Sequence, residues 1–167
     1  MPKPTTNPEL FTVACLANTP AWLLPKQAKK ATQDLFTDDR ARVIIDALAH
    51  LSHEETQADG EPIPLIVLDN YLRESGLYST WGTPLAEWVQ QVAAVPFANP
   101  EQLDVAIREL LSMALRREVE AFNHQLNEVL LKPDNEVIQW CTTFTRRIEA
   151  FAQQRNSMFS HHRLHAA

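Results

Sequence analysis

The sequence predicts an all-α protein, with a globular head of several short helices followed by a long antiparallel helical hairpin. Three observations lead there. Apolar residues recur at helical rather than alternating spacing through most of the chain. Glycine is scarce, with only Gly60, Gly76 and Gly82, which argues against a sheet rich in tight turns. The 11 prolines mostly fall where helices could begin or end. With 167 residues, 45% of them hydrophobic and 22% charged, the chain reads as one ordinary helical domain, 1–167, able to bury a core.

The elements follow in order. Asn7-Pro8 opens a first helix running to about Asn18. Thr19-Pro20 opens "AWLLPKQAKKATQDLF", which Pro25 is expected to divide. Thr37-Asp38-Asp39 can cap "RARVIIDALAHLSHEE", where Val43, Ile44, Ala47, Leu48 and Leu51 make a helical stripe. The tract "GEPIPLIVLDNYLRESGL" is ambiguous between strand and buried helix. Leu65, Leu68 and Leu72 at helical spacing, and Gly76 at a C′ position, make it a helix. "STWGT" reads as a turn, and Thr83-Pro84 begins "LAEWVQQVAAV", closed by Pro96. These elements form the head, about 8–96. Asn99-Pro100 then starts a helix of about 30 residues, uninterrupted until Pro133, and Asp134 caps another. Only "KPD" separates the two, so they are expected to fold back as a hairpin over about 100–160.

Charge and cysteine narrow the function. The net charge is −6, and residues 37–76 alone hold nine acidic groups against three basic. A nucleic-acid binder needs a basic face that displaces counterions, so direct nucleic-acid binding is disfavoured. The acidic middle is either merely solvated or meets a basic partner protein. Cys15 and Cys141 lie far apart in apolar segments and read as small buried residues with reduced thiols. The apolar N-terminal "LFTVACLANTPA" is short and interrupted, so it reads as mature structure. No run reaches the roughly 18 apolar residues of a membrane helix. A cytoplasmic protein without a cofactor is expected.

Five motifs then stand in order: "DLFTDDRARVIIDALAHL", "GEPIPLIVLDNYLRESGL", "TWGTPLAEWVQQV", "EQLDVAIRELLSMALRREVEAFNHQL" and "VIQWCTTFTRRIEAFA". Their order and spacing, over roughly residues 9–152, resemble the N-terminal domain of bacterial replicative helicases of the DnaB type. There are departures. Pro64 stands where that family often has an acidic residue, Trp81 precedes a lone Gly82 where paired glycines are common, and the loop "SHEETQADG" is long. Nor is there a GxxxxGK[ST] phosphate loop, so these residues are not expected to drive an ATPase motor. In that family the domain is a non-catalytic collar that pairs through its hairpin and offers a docking surface. The resemblance implies a replication accessory protein that binds a replicative helicase, primase or loader, with homo-oligomers through the hairpin. Loading and recruiting are the roles it suggests. A helical adaptor unrelated to replication remains the plainer alternative.

Several residues are candidates for a site. Glu120, His124 and Glu128 lie four apart on one helical face, a spacing that could hold a metal, but opposite Phe122, Leu126 and Val129 they read as a solvated face. Asp46, His50, His53 and Glu54 are chemically a better set, yet they match no recognised metal pattern, and no metal site is expected. In the tail, Arg155, Asn156 and His161 or His162 resemble the short Arg-to-His signature of HEPN-type ribonucleases. That gives an alternative enzymatic reading through Arg155 and His162, against cations gathered at a helix C-terminus. The remaining candidates are apolar. Val137, Cys141, Phe144, Ile148, Phe151 and Ala152 share one face of the last helix, with Trp140 at its edge; Ile107, Leu110, Ala114 and Phe122 make the facing stripe. Most should be hairpin core, but two helices carry more apolar surface than they hide, and Leu110, Phe122, Trp140 and Phe144 are the expected binding residues.

Overall fold

Asn7 and Pro8 start the first helix as their chemistry requires. Asn7 Oδ1 accepts the Glu9 N–H at 3.0 Å, and Pro8 takes a first-turn position where its missing N–H costs nothing. The structure is a computed structural model that describes residues 7–54 and 60–163, except the side chains of 54 and 158–163. Its elements are α1 (Pro8–Ala17), α2 (Leu24–Ala28), a 3₁₀ turn at Gln33–Leu35, α3 (Asp39–Glu54), α4 (Leu65–Glu74), α5 (Leu77–Trp81), α6 (Thr83–Ala94), a second 3₁₀ turn at Pro100–Gln102, α7 (Leu103–Val129) and α8 (Asp134–Arg163). No strand occurs among the described residues, where the one β-type pairing is an isolated antiparallel bridge between Pro20 and Pro62. The protein is all-α, as the sequence predicts. Among the described residues no helix is long and apolar enough to cross a membrane.

The chain divides into two compact units, 1–107 and 108–167, with the boundary inside α7. In the first unit α1 is central and packs against α2, α3 and α6. Val13, Ala14, Cys15 and Leu16 are wholly buried, as is Thr12, whose hydroxyl donates to the Pro8 carbonyl at 2.8 Å. A helix buried on every side belongs at the middle of a core. Around it α3 contributes Ile44, Ala47, Leu48 and Leu51, α4 contributes Leu68 and Leu72, and α6 contributes Leu85, Trp88 and Val92.

One polar group fixes how α1 meets α3. Glu9 is 4% exposed, and its carboxylate accepts the Thr37 N–H at 2.9 Å, the Thr37 hydroxyl at 2.6 Å and the Asp38 N–H at 3.1 Å. A buried charge is tolerable only when bonded in this way, and here it sits where the start of α3 needs acceptors. Thr37 is therefore an anchor to Glu9 rather than the cap. Asp38 caps, its Oδ1 accepting the Arg40 N–H at 3.0 Å. Asp38 also accepts from the Arg40 guanidinium and, at 3.0 Å, from the Trp88 indole N–H.

Two details differ from the sequence reading. The segment around "STWGT" contains a one-turn helix, α5, bracketed by Gly76 and Gly82 with φ of 76° and 66°. Such backbone is open to glycine at little cost, so each end of α5 can turn sharply. The Tyr78 hydroxyl donates to Asp69 at 2.6 Å and ties α5 to α4. Pro25 stands in the first turn of α2, so it begins a helix rather than dividing one.

Two outcomes test this core. Glu9→Ala should lower unfolding free energy by about 1–3 kcal/mol in chemical denaturation, because it removes the acceptor of two part-buried backbone N–H groups and a hydroxyl, whereas Glu61→Ala, at an exposed position, should stay within about 0.5 kcal/mol. The Arg40 guanidinium holds the Asp38 carboxyl below its usual range, with the Trp88 N–H assisting. A depressed folded value gives stability that is full above the unfolded value of about 3.9 and is lost as pH falls through the folded one. Asp38→Asn should therefore show a smaller drop in Tm between about pH 5 and pH 2 than the parent chain.

Candidate functional site

In the second unit, α7 and α8 are joined through the turn at Leu130–Pro133, where the Leu130 N–H still donates to the Leu126 carbonyl and Glu136 N–H restarts a helix on Pro133. Pro133 cannot continue α7, and Asp134 and Glu136 suit the first turn of α8. Side chains link the two helices at three places. The Phe122 ring stacks on Trp140 with centroids 4.4 Å apart, Phe122 meets Phe144 at 4.0 Å, and Arg147 pairs with Glu118 at 2.8 Å. The partners move down α7 as they move up α8.

Those side chains line a cleft of about 100 Å³, together with Ala121, Gln125 and Thr143. Its floor is aromatic and its end is an ion pair. Glu118 is largely shielded, but the Arg147 side chain is 64% exposed, so the pair orients more than it stabilises. Thr142, Thr143 and Thr145 each donate their hydroxyl to the carbonyl four residues earlier, which satisfies them within α8.

Three of the four expected binding residues come together here: Phe122, Trp140 and Phe144. Leu110 does not. It is wholly buried three turns earlier on α7, close to Ile107 and Ala114, which are buried too. The stripe on α8 is also shifted from the sequence reading. Val137, Trp140, Phe144, Ile148 and Phe151 are half-buried, whereas Cys141 and Ala152 are exposed, so Trp140 belongs to the stripe and Cys141 is no core thiol. No described residue of α8 is fully buried, and Ile138, Leu130 and Leu131 stand exposed around it. Glu118, Ala121, Gln125, Thr143 and Arg147 also line the cleft, and the sequence reading does not single them out. The antiparallel pairing could have found Glu118 with Arg147, since both follow once Phe122 is set opposite Phe144.

The other candidates resolve simply. Glu120, His124 and Glu128 are exposed, as a solvated face requires. Asp46, His50 and His53 are exposed on α3, and His50 lies against the Tyr71 ring at 5.1 Å; the Glu54 side chain is outside the described residues. Among the described residues no three or more metal-binding side chains gather. Arg155 is exposed on α8, and the His162 side chain lies outside the description. Burial pushes the Cys15 thiol up to about 11, so it stays protonated at neutral pH. Comparison of the chain with protein-family models, with curated proteins and with solved structures finds no match.

A double-mutant cycle on Glu118 and Arg147 should return a coupling below about 1 kcal/mol in denaturant unfolding. Phe122→Ala, which removes two ring contacts at once, should cost more, about 1–3 kcal/mol.

Proposed function

We propose that the chain is a non-catalytic accessory protein of DNA replication that binds a replicative helicase or its partners, primase or loader, and serves to load or recruit. The observation that supports a binding role is the apolar stripe of α8, none of whose described residues reaches full burial. Apolar area of this kind is worth roughly 25 cal/mol per Å² when covered, and tryptophan and arginine, here Trp140 and Arg147, are among the residue types enriched in interface hot spots. The replication setting is supported by the ordered motifs of the sequence alone. A second copy of the chain would cover the same stripe, which makes a homo-oligomer part of the proposal. The role belongs to the cytoplasm.

Purified helicase, primase and loader, each passed over the immobilised chain at low and moderate salt, should include one that is retained. Trp140→Ala and Phe144→Ala should weaken that binding about tenfold or more, while Glu120→Ala, on the solvated face, should leave it unchanged. If none of the three is retained at either salt, the replication role fails.

A further inference from the structure

Between α4 and α6 the chain is held more loosely than on either side. The wholly buried Leu68 and Leu72 anchor α4, and the buried Leu85, Trp88, Val89 and Val92 anchor α6. In α5 no residue is buried: Leu77, Tyr78 and Trp81 are half-buried, and Ser79 and Thr80 are exposed. This short helix packs against α4 and α6, but its backbone bonds stay local, with Ser79 and Thr80 donating to the Gly76 carbonyl and Gly82 to that of Tyr78. Among the described residues one side-chain bond leaves it, from the Tyr78 hydroxyl to Asp69 Oδ1 on α4 at 2.6 Å. Arg73 donates to the other oxygen of Asp69 at 3.0 Å and so orients the acceptor from within α4. Burial and the Asp69 carboxylate push the Tyr78 hydroxyl well above its usual range, which keeps it a donor.

Each end of α5 is a glycine in left-handed backbone. Gly76 has φ 76° and ψ 7°, and Gly82 has φ 66° and ψ −158°, the second a conformation open essentially to glycine alone. A Cβ on Gly76 would meet no atom within 4 Å, so backbone conformation, not space, calls for glycine there. Two such residues let the segment between them change direction while α4 and α6 stay where their buried side chains hold them. Trp81, at the far end of α5, lines an open cleft of about 490 Å³ with Pro84 and with Thr37, Asp38, Asp39 and Arg40 at the start of α3. Movement of α5 therefore changes the wall of that cleft.

We propose that α5 is a latched flap, which opens as a unit between Gly76 and Gly82 while α4 and α6 stay folded. The Tyr78–Asp69 bond is the latch that holds it shut. Opening withdraws Trp81 from the cleft at the start of α3. Local opening takes place where few apolar side chains are buried and few bonds cross to the rest of the fold, and α5 meets both conditions. The open flap leaves every buried anchor of α4 and α6 in place, so what it gives up is the latch and the half-buried faces of three side chains. The device lies within the first unit and does not depend on the replication role.

Residue-resolved hydrogen exchange of the full chain reads the opening through the amides of Ser79, Thr80 and Gly82, which are bonded in the closed flap. In the parent chain they should exchange at least about tenfold faster than the amides of Leu72 and Val89 on either side. Tyr78→Phe should speed them about tenfold more, with Leu72 and Val89 unchanged. Asp69→Ala should act alike, and the double variant should exceed either single one by no more than about twofold, because both remove the same bond. Gly76→Ala, which alters only backbone preference, should speed them about fivefold or more. The Trp81 indole N–H signal, identified by its loss in Trp81→Phe, should move in Tyr78→Phe, while that of Trp88, which donates to Asp38, stays in place. Equal exchange of α4, α5 and α6 in the parent would overturn the proposal, as would equal acceleration of all three by Tyr78→Phe or an unmoved Trp81 signal. Additive effects in the double variant would overturn the latch.

Discussion

A carboxylate buried at the junction of two helices organises the first unit. Glu9 leaves α1 one residue after its start and bonds to Thr37 and Asp38, the residues that lead into α3. Without those bonds two part-buried N–H groups at the start of α3 would lose their acceptor, and α1 would bury a carboxylate with no partner. With them, α1 and α3 are held in one register, and α6 closes over both. The next step in the chain of contacts is Asp38, which caps α3 while fixing Arg40 and the Trp88 indole. Thr37, Asp38 and Arg40 at the start of α3 therefore couple it to Glu9 of α1 and Trp88 of α6, and the apolar core fills the space between the three helices.

The second unit is built on the opposite principle. Its two helices are each about as long as the whole of α1 and α3 together, yet α8 brings only one stripe to the contact, and that stripe stays half-buried. A two-helix unit has too little interior to hide side chains the size of Phe122, Trp140 and Phe144. What it can do is hold them against one another, beside the Glu118–Arg147 pair, on its surface. One unit spends its apolar residues on its own core, and the other holds part of them at the surface.

Much of this was legible in the sequence because local signals agreed with one another. Asn7-Pro8 and Asn99-Pro100 are caps whose side-chain bonds form as their types demand, and Leu68, Leu72 and Gly76 mark a helix and its end. The parts that were not legible depend on distant residues. Nothing near Thr37 says that Glu9 will take its hydroxyl, so it read as a cap. Trp140 and Cys141 are neighbours in sequence and about 100° apart around the helix, and only the position of Phe122 decides which of them turns inward. The exposed Trp22 is set by its pairing strip against Glu61 and Pro62, some 40 residues on, which no periodicity encodes.

No described side chain of α8 is fully buried, and the proposed role has another protein cover its apolar stripe. Residue-resolved hydrogen exchange tests it most directly, on the free chain at low concentration and again with each of the proposed partners added. The account predicts that amides of Val137–Phe151 exchange well before those of α1 and α3 in the free chain, and slow by a factor of about ten or more in the complex while α1 and α3 stay as they were. Protection of α8 equal to that of α1 in the free chain, or no change on binding, would contradict it.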